Sequence, residues 1–79
     1  MKSTRIYTQR DCNFCKLAKH LLDENNIEYE EVSLNAPRGL SYFRADCPDC
    51  RTVPQIFIDN VFIGNYKNLT EYFNENSTD

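Results

Sequence analysis

Apolar and polar positions change period along the chain, and each change marks an element. Thr4–Gln9 is short and β-rich, with Ile6 and Tyr7 inside it, and predicts a first strand. Phe14, Leu17, Ala18, Leu21 and Leu22 then recur at i, i+3, i+4, i+7 and i+8, one stripe of a helix. Lys16, Lys19, His20, Asp23 and Glu24 fall off that stripe, so His20 is expected to face solvent. The helix should begin at or just after Cys12 and end near Asn25-Asn26, where Asn suits a C-terminal cap. From Ile27 to Leu34 the pattern alternates, Ile27 and Tyr29 against Glu28 and Glu30, which predicts a second strand. Strand, helix and strand form a β-α-β unit, so the two strands should run parallel.

The stretch 36–46 is less periodic. Leu40, Phe43 and Arg44 fit a short helix limited by Pro37 and Gly39. Ile56-Phe57-Ile58 and Val61-Phe62-Ile63 then flank Asp59-Asn60, two residues that tolerate the positive φ of a tight hairpin. Asn68, with Glu71 three residues on, resembles a capping box for a last helix over 68–76 that buries Leu69, Tyr72 and Phe73. Ser77-Thr78-Asp79 should fray. The order β-α-β-α-β-β-α predicts an α/β fold with a mixed four-stranded sheet and about three helices, in one domain over residues 1–79.

Composition changes the picture only at the cysteines. A chain of 79 residues buries a modest core, so disulfides or metals are compatible with it but not required. It is 41% apolar and 27% charged, a globular balance, and its five Phe and five Tyr supply most of the bulk in the absence of Trp. The net charge is −3 and no basic stripe occurs, which gives nucleic-acid binding no electrostatic support. Glu28, Glu30 and Glu31 read as a solvated face. No apolar run reaches membrane-spanning length, and the first ten residues lack the apolar stretch of a signal peptide. A cytoplasmic location is therefore expected. Structural disulfides are rare there, which turns attention to metal or redox chemistry for the four cysteines.

Those cysteines form two Cys-x-x-Cys pairs, Asp-Cys-Asn-Phe-Cys-Lys over residues 11–16 and Asp-Cys-Pro-Asp-Cys-Arg over 46–51. Cys12 falls at the strand-to-helix turn and Cys15 one turn into the helix. Unpaired N–H groups and the positive end of the helix dipole stabilise a thiolate there, and the thiolate is the nucleophile. Cys12, nearer the end, should attack, and Cys15 should resolve. Arg10 and Lys16 add positive potential. The competing readings are buried structural thiols or half of a zinc site.

With these residues in view, nearly the whole chain resembles the glutaredoxins of the thioredoxin-like superfamily. Residues 6–15 are similar to the family's first strand and active-site turn, whose usual pair is Cys-Pro-Tyr-Cys. Thr52–Asp59 is similar to its strand with a cis-proline, and Phe62–Leu69 resembles its Gly-Gly-x-Asp-Asp-Leu segment. The resemblance implies a thioredoxin-like fold of glutaredoxin type. It also implies glutathione-dependent reduction of protein disulfides and glutathione mixed disulfides, with Cys12 and Cys15 as catalytic pair. Thr52, Val53 and Pro54 would line the site, the Val53 backbone pairing with glutathione, since a residue before cis-proline exposes its N–H and C=O. Asn65, Tyr66 and Lys67 would hold the γ-glutamyl end near a helix start. Gln9 matches a position that touches the glycine carboxylate, Phe14 keeps an aromatic ring beside the nucleophile, and Arg51 is a candidate partner for a carboxylate. Implied partners are glutathione and disulfide-containing proteins, ribonucleotide reductase among them, for a monomeric protein. Three departures stand out. Asn13 replaces Pro, Phe14 replaces Tyr, and Asn65, Lys67 and Asn68 replace a Gly and two Asp.

The second pair has no counterpart in that pattern. A joint zinc site is one reading, although residues 16–46 between the pairs exceed the roughly 15–20 usual for paired zinc-binding turns. An iron–sulfur site is a variant of it. A second dithiol is another reading, made sluggish by Asp46 and Asp49, and two inert thiols a third. The functional alternatives are an electron donor to ribonucleotide reductase served by thioredoxin reductase, or a non-enzymatic zinc or iron–sulfur protein. Phe14 favours the glutathione-using branch.

Overall fold

β1 (Arg5–Thr8) is buried along its entire length and forms the centre of the molecule in a computed structural model that describes residues 2–75. It pairs in parallel with β2 (Glu30–Ser33) and antiparallel with β3 (Gln55–Ile58), which pairs antiparallel with β4 (Val61–Gly64). The sheet order is β2-β1-β3-β4. The helices are α1 (Asn13–Glu24), α2 (Gly39–Asp46) and α3 (Tyr66–Glu75). The expected element order, the mixed sheet and the three helices are all present. The expected fraying of 77–79 and the expected helix residue Asn76 lie outside the described residues.

Because side chains alternate along a strand, the sheet separates two apolar layers. Ile6, Ile56 and Ile58 point to one face, where Ala18 and Leu22 of α1 and Leu69 of α3 cover them. Tyr7, Val32 and Phe57 point to the other, where Phe43 of α2 covers them. Thus α1 and α3 share one layer, and α2 forms the other.

Several boundaries differ from expectation for local reasons. The second strand is confined to 30–33, while Ile27 and Tyr29 lie in its approach and still pack on the first core. α1 ends as expected. Asn26 takes φ 58°, the Ile27 N–H reaches Leu22 O and the Asn26 N–H reaches Asp23 O, so the last carbonyls are satisfied. The apolar stripe of α1 divides: Ala18 and Leu22 are buried, with Cys15 joining them, whereas Phe14 and Leu17 are 58% and 46% exposed. The acidic face is not wholly solvated either, since Glu31 accepts from Thr8 Oγ1 at 2.7 Å and from Lys19 Nζ. The hairpin turn is as expected, with Asp59 and Asn60 at φ 52° and 65°. Among the described residues, no helix is long and apolar enough to cross a membrane.

Candidate active site

Cys12 is the N-cap of α1. Its backbone is extended (φ −115°, ψ 101°), and its Sγ accepts the Cys15 N–H at 3.2 Å. Sulfur therefore sits where a capping oxygen usually sits, against the unpaired N–H groups and positive pole of the helix. The first turn carries no acidic side chain to oppose a thiolate. Arg10 and Lys16 line a groove on this side together with Gln9, Cys12 and Cys15. Cys15 is 2% exposed, and its Cα is 5.2 Å from that of Cys12, the two residues joined in a disulfide. The pair is asymmetric: Cys12 is half-buried at the surface and Cys15 belongs to the interior.

On the other side of Cys12 runs the segment 52–54. The Val53 carbonyl oxygen lies 4.0 Å from Cys12 Sγ, and the Val53-Pro54 bond is cis. Gln55, buried at the start of β3, donates from Nε2 to the Thr52 carbonyl at 3.0 Å and holds this segment against the strand. Sequence reading misses Gln55. Its only signal is a polar residue opening the most apolar strand of the chain.

The third wall is the start of α3. Asn65 and Asn68 bond reciprocally, the Asn65 N–H to Asn68 Oδ1 and the Asn68 N–H to Asn65 Oδ1, each at 3.0 Å. This capping box lies three residues before the expected Asn68–Glu71 one, so α3 begins at Tyr66 rather than Asn68. Gly64 makes room for it: at φ 119° it lies against the Asn68 side chain, and a Cβ there would collide with it. The Phe14 and Tyr66 rings face each other at 5.7 Å between centroids. Phe14, Thr52, Val53, Pro54, Asn65, Tyr66 and Lys67 line one groove of about 230 Å³, so these residues from three separate stretches come together. Gln9 does not join them and lies in the groove on the far side of Cys12. Arg51 does not join them either. Its guanidinium donates back to the Pro48 and Cys50 carbonyls at 3.1 and 3.3 Å.

Cys47 and Cys50 are bonded to each other, with Cα atoms 5.4 Å apart. The two Cys-x-x-Cys pairs thus close separately, and among the described residues no group of three or more His, Cys, Asp or Glu converges as a metal-binding set. Asp46, expected to bear on Cys47, is committed elsewhere. It accepts from Arg5 Nε and Nη2 and from the Tyr7 hydroxyl. The hydrogen bond from Arg5 holds the Asp46 carboxyl below its ordinary value, with burial opposing and the Tyr7 bond adding. Burial, reinforced by the Asp46 bond, pushes the Tyr7 phenol well up.

Comparison with known proteins fits this geometry. The glutaredoxin family model matches residues 5–63. Glutaredoxin 1 of Rickettsia felis is 43% identical over 61 residues, covering 75% of this chain and 60% of that protein, so the chain spans about three fifths of that relative's length. Glutaredoxin 1 of Rickettsia bellii is 36% identical over 78 residues, covering 94% and 80%. Among solved structures, glutaredoxin 1 from Francisella tularensis complexed with cacodylate superposes with a TM-score of 0.76 at 32% identity, over 91% of this chain and 92% of that one. The buckwheat glutaredoxin–glutathione complex shares the fold, with a TM-score of 0.79 at 22% identity over 92% of this chain and 69% of that one. A capping cysteine at the first helix, the Val53-Pro54 segment beside it and a family match running from β1 into β4 have one meaning: the chain belongs to the glutaredoxin family of the thioredoxin-like superfamily.

Proposed function

We propose that the protein is a glutathione-dependent thiol–disulfide oxidoreductase that reduces protein disulfides and glutathione mixed disulfides. The observation that carries this reading is the capping position of Cys12, with its Sγ receiving the Cys15 N–H and lying against the Val53 carbonyl. In the reduced chain the Cys12 thiolate attacks a disulfide sulfur, forms a mixed disulfide and expels the other sulfur as a thiolate. Cys15 is too deeply buried to meet a substrate, so its part is to attack Cys12 and close the internal disulfide. On a glutathione mixed disulfide, a second glutathione thiolate serves in its place.

The groove suits a small peptide thiol. Val53 offers backbone groups beside Cys12. The N–H groups of Tyr66 and Lys67, in the first turn of α3, precede any intrahelical acceptor and suit a carboxylate. Phe14 and Tyr66 supply an apolar wall. Thr52, Pro54 and Asn65 complete the lining, with Gln9 and Arg51 outside it. The single domain, the cytoplasmic location, the monomeric state and the protein-disulfide substrates, ribonucleotide reductase included, form part of the same proposal.

The deciding experiment reduces the oxidised chain with glutathione plus glutathione reductase, and in parallel with thioredoxin reductase. Turnover of a glutathionylated probe with glutathione is expected, and efficient reduction by thioredoxin reductase alone would favour the reductase-served reading. Cys15→Ser should keep that turnover and lose reduction of protein disulfides. Retention of both by Cys15→Ser would remove Cys15 from the reaction.

A further inference from the structure

The Cys47–Cys50 disulfide stands outside the Cys12 groove and takes no part in the proposed reaction. Both residues are half-buried and line an open groove of about 590 Å³ next to β4, with Arg51, Phe62 and Asn65 among its walls. Asn65 also lines the groove between Phe14 and Tyr66, so the two adjoin. Cys50 also borders a further groove with Leu40 and Arg44 while packing against the Tyr7–Phe43–Phe57 cluster.

The two disulfides occupy opposite helix poles. Cys12 opens α1, where N–H groups face its sulfur. Cys47 closes α2: it is the C-cap, and its N–H is spent on Phe43 O at 2.9 Å. The ends of backbone carbonyls, and the negative pole, face the second pair. Asp46 adds no net charge there because Arg5 matches it. On the loop itself Asp49 and Arg51 offset one another, and Arg44 in the last turn of α2 opposes the pole; what the second pair lacks is a free N–H, because those of Cys47 and Cys50 are spent on Phe43 O and Cys47 O. A thiolate released by reduction therefore meets an N–H group and the positive helix pole at the first pair and neither at the second. Stabilising the reduced form makes a disulfide the stronger oxidant. The first pair is thus the easier to reduce and the second the harder.

We infer that Cys47–Cys50 is a second thiol–disulfide exchange site, more reducing than Cys12–Cys15, which is opened by dithiols and left closed by glutathione. One thiolate of the dithiol attacks Cys50 Sγ. A bond forms between them, the Cys47–Cys50 bond breaks, and its electron pair leaves on Cys47 Sγ, which takes a proton. The dithiol's second thiolate then attacks the dithiol sulfur bound to Cys50, closing a cyclic disulfide and releasing Cys50 as a thiol. Two electrons pass from dithiol to protein. A monothiol needs two successive encounters for the same transfer, and at both pairs the neighbouring cysteine, three residues away, competes with the second, so the preference between pairs rests on the thiolate environment.

The test equilibrates the oxidised full chain with graded glutathione/glutathione disulfide buffers and, separately, with graded reduced/oxidised dithiothreitol. Samples are quenched in acid and alkylated, and the cysteine peptides are counted by mass. In the glutathione buffer that half-opens Cys12–Cys15, the ratio of open to closed Cys47–Cys50 is expected to be lower by about tenfold or more. Dithiothreitol is expected to open both, with the far-ultraviolet circular dichroism unchanged. The Cys12→Ser/Cys15→Ser chain should open Cys47–Cys50 at the same dithiothreitol ratio. Opening of Cys47–Cys50 in glutathione with or before the first pair would overturn the inference. So would a second pair that stays closed in excess reduced dithiothreitol, one whose opening melts the fold, or one that opens only when Cys12 and Cys15 are present. Turnover is not read here, so failure of the glutathione-linked activity leaves these outcomes readable.

Discussion

Cys12 does two jobs that a substitution can separate. Its sulfur caps α1 and it is the proposed nucleophile. Serine is a good N-cap, so Cys12→Ser should abolish turnover yet keep the unfolding free energy within about 0.5 kcal/mol of the reduced wild-type chain. Cys12→Ala removes the cap as well and should cost about 1 kcal/mol in urea unfolding. Equal stability of the two variants would show that the sulfur does not cap. The helix start at Cys12 was legible from its place ahead of the apolar stripe, and the capping sulfur was not. Nor was the exposure of Phe14. Periodicity placed it on the buried stripe, but it lies exposed in the first turn of α1, where its ring meets Tyr66.

At the scale of elements, the start of α3 depends on Gly64. A side chain there meets both a positive φ and the Asn68 amide, so Gly64→Ala should lower stability by about 1–3 kcal/mol. It should also raise the KM for a glutathionylated probe more than it lowers kcat, because Tyr66 and Lys67 lose their alignment. An unchanged KM would detach the groove from the Asn65–Asn68 box. The sequence reading found a capping pair in this segment but put it three residues late. Asn68 can be a cap or the third residue of one, and only Asn65 reaching back to it decides. The hairpin before it was fully legible, since two residues tolerant of positive φ between two apolar runs leave few alternatives.

Across the whole molecule, the least legible feature is the Arg5–Asp46 clamp. The partners are 41 residues apart in sequence, and Arg5 sits in a fully buried strand. Its guanidinium lies 4.4 Å over the Phe57 ring and donates to Asn60 and to the backbone of Lys2 and Ser3. One side chain thus ties α2, the hairpin turn and the N-terminal segment to β1. No periodicity reports such a pairing, just as none says that α1 and α3 share a face. Asp46→Asn leaves Arg5 charged with its best partner gone and should cost about 2–4 kcal/mol. The pH dependence follows in sign. The folded Asp46 carboxyl is held below its ordinary value of 3.8, so its contribution is complete above that value and lost as the pH falls through the lower folded one. Wild-type stability should fall on acidification below about pH 4, and Asp46→Asn should flatten that part of the profile; parallel profiles would exclude the clamp.

The pairing of β1 with β3 also governs how the chain comes together in time. Arg5 lies opposite Phe57, so the first strand made finds one of its two neighbours only after most of the chain has been synthesised. Until then β1 and β2 can meet around α1, but one row of β1 backbone groups and the apolar side chains beside it stay uncovered. Contacts so distant in sequence close slowly. A nascent or truncated chain that stops short of residue 55 therefore presents a bare strand edge flanked by Ile6 and Tyr7, a template for pairing with another chain.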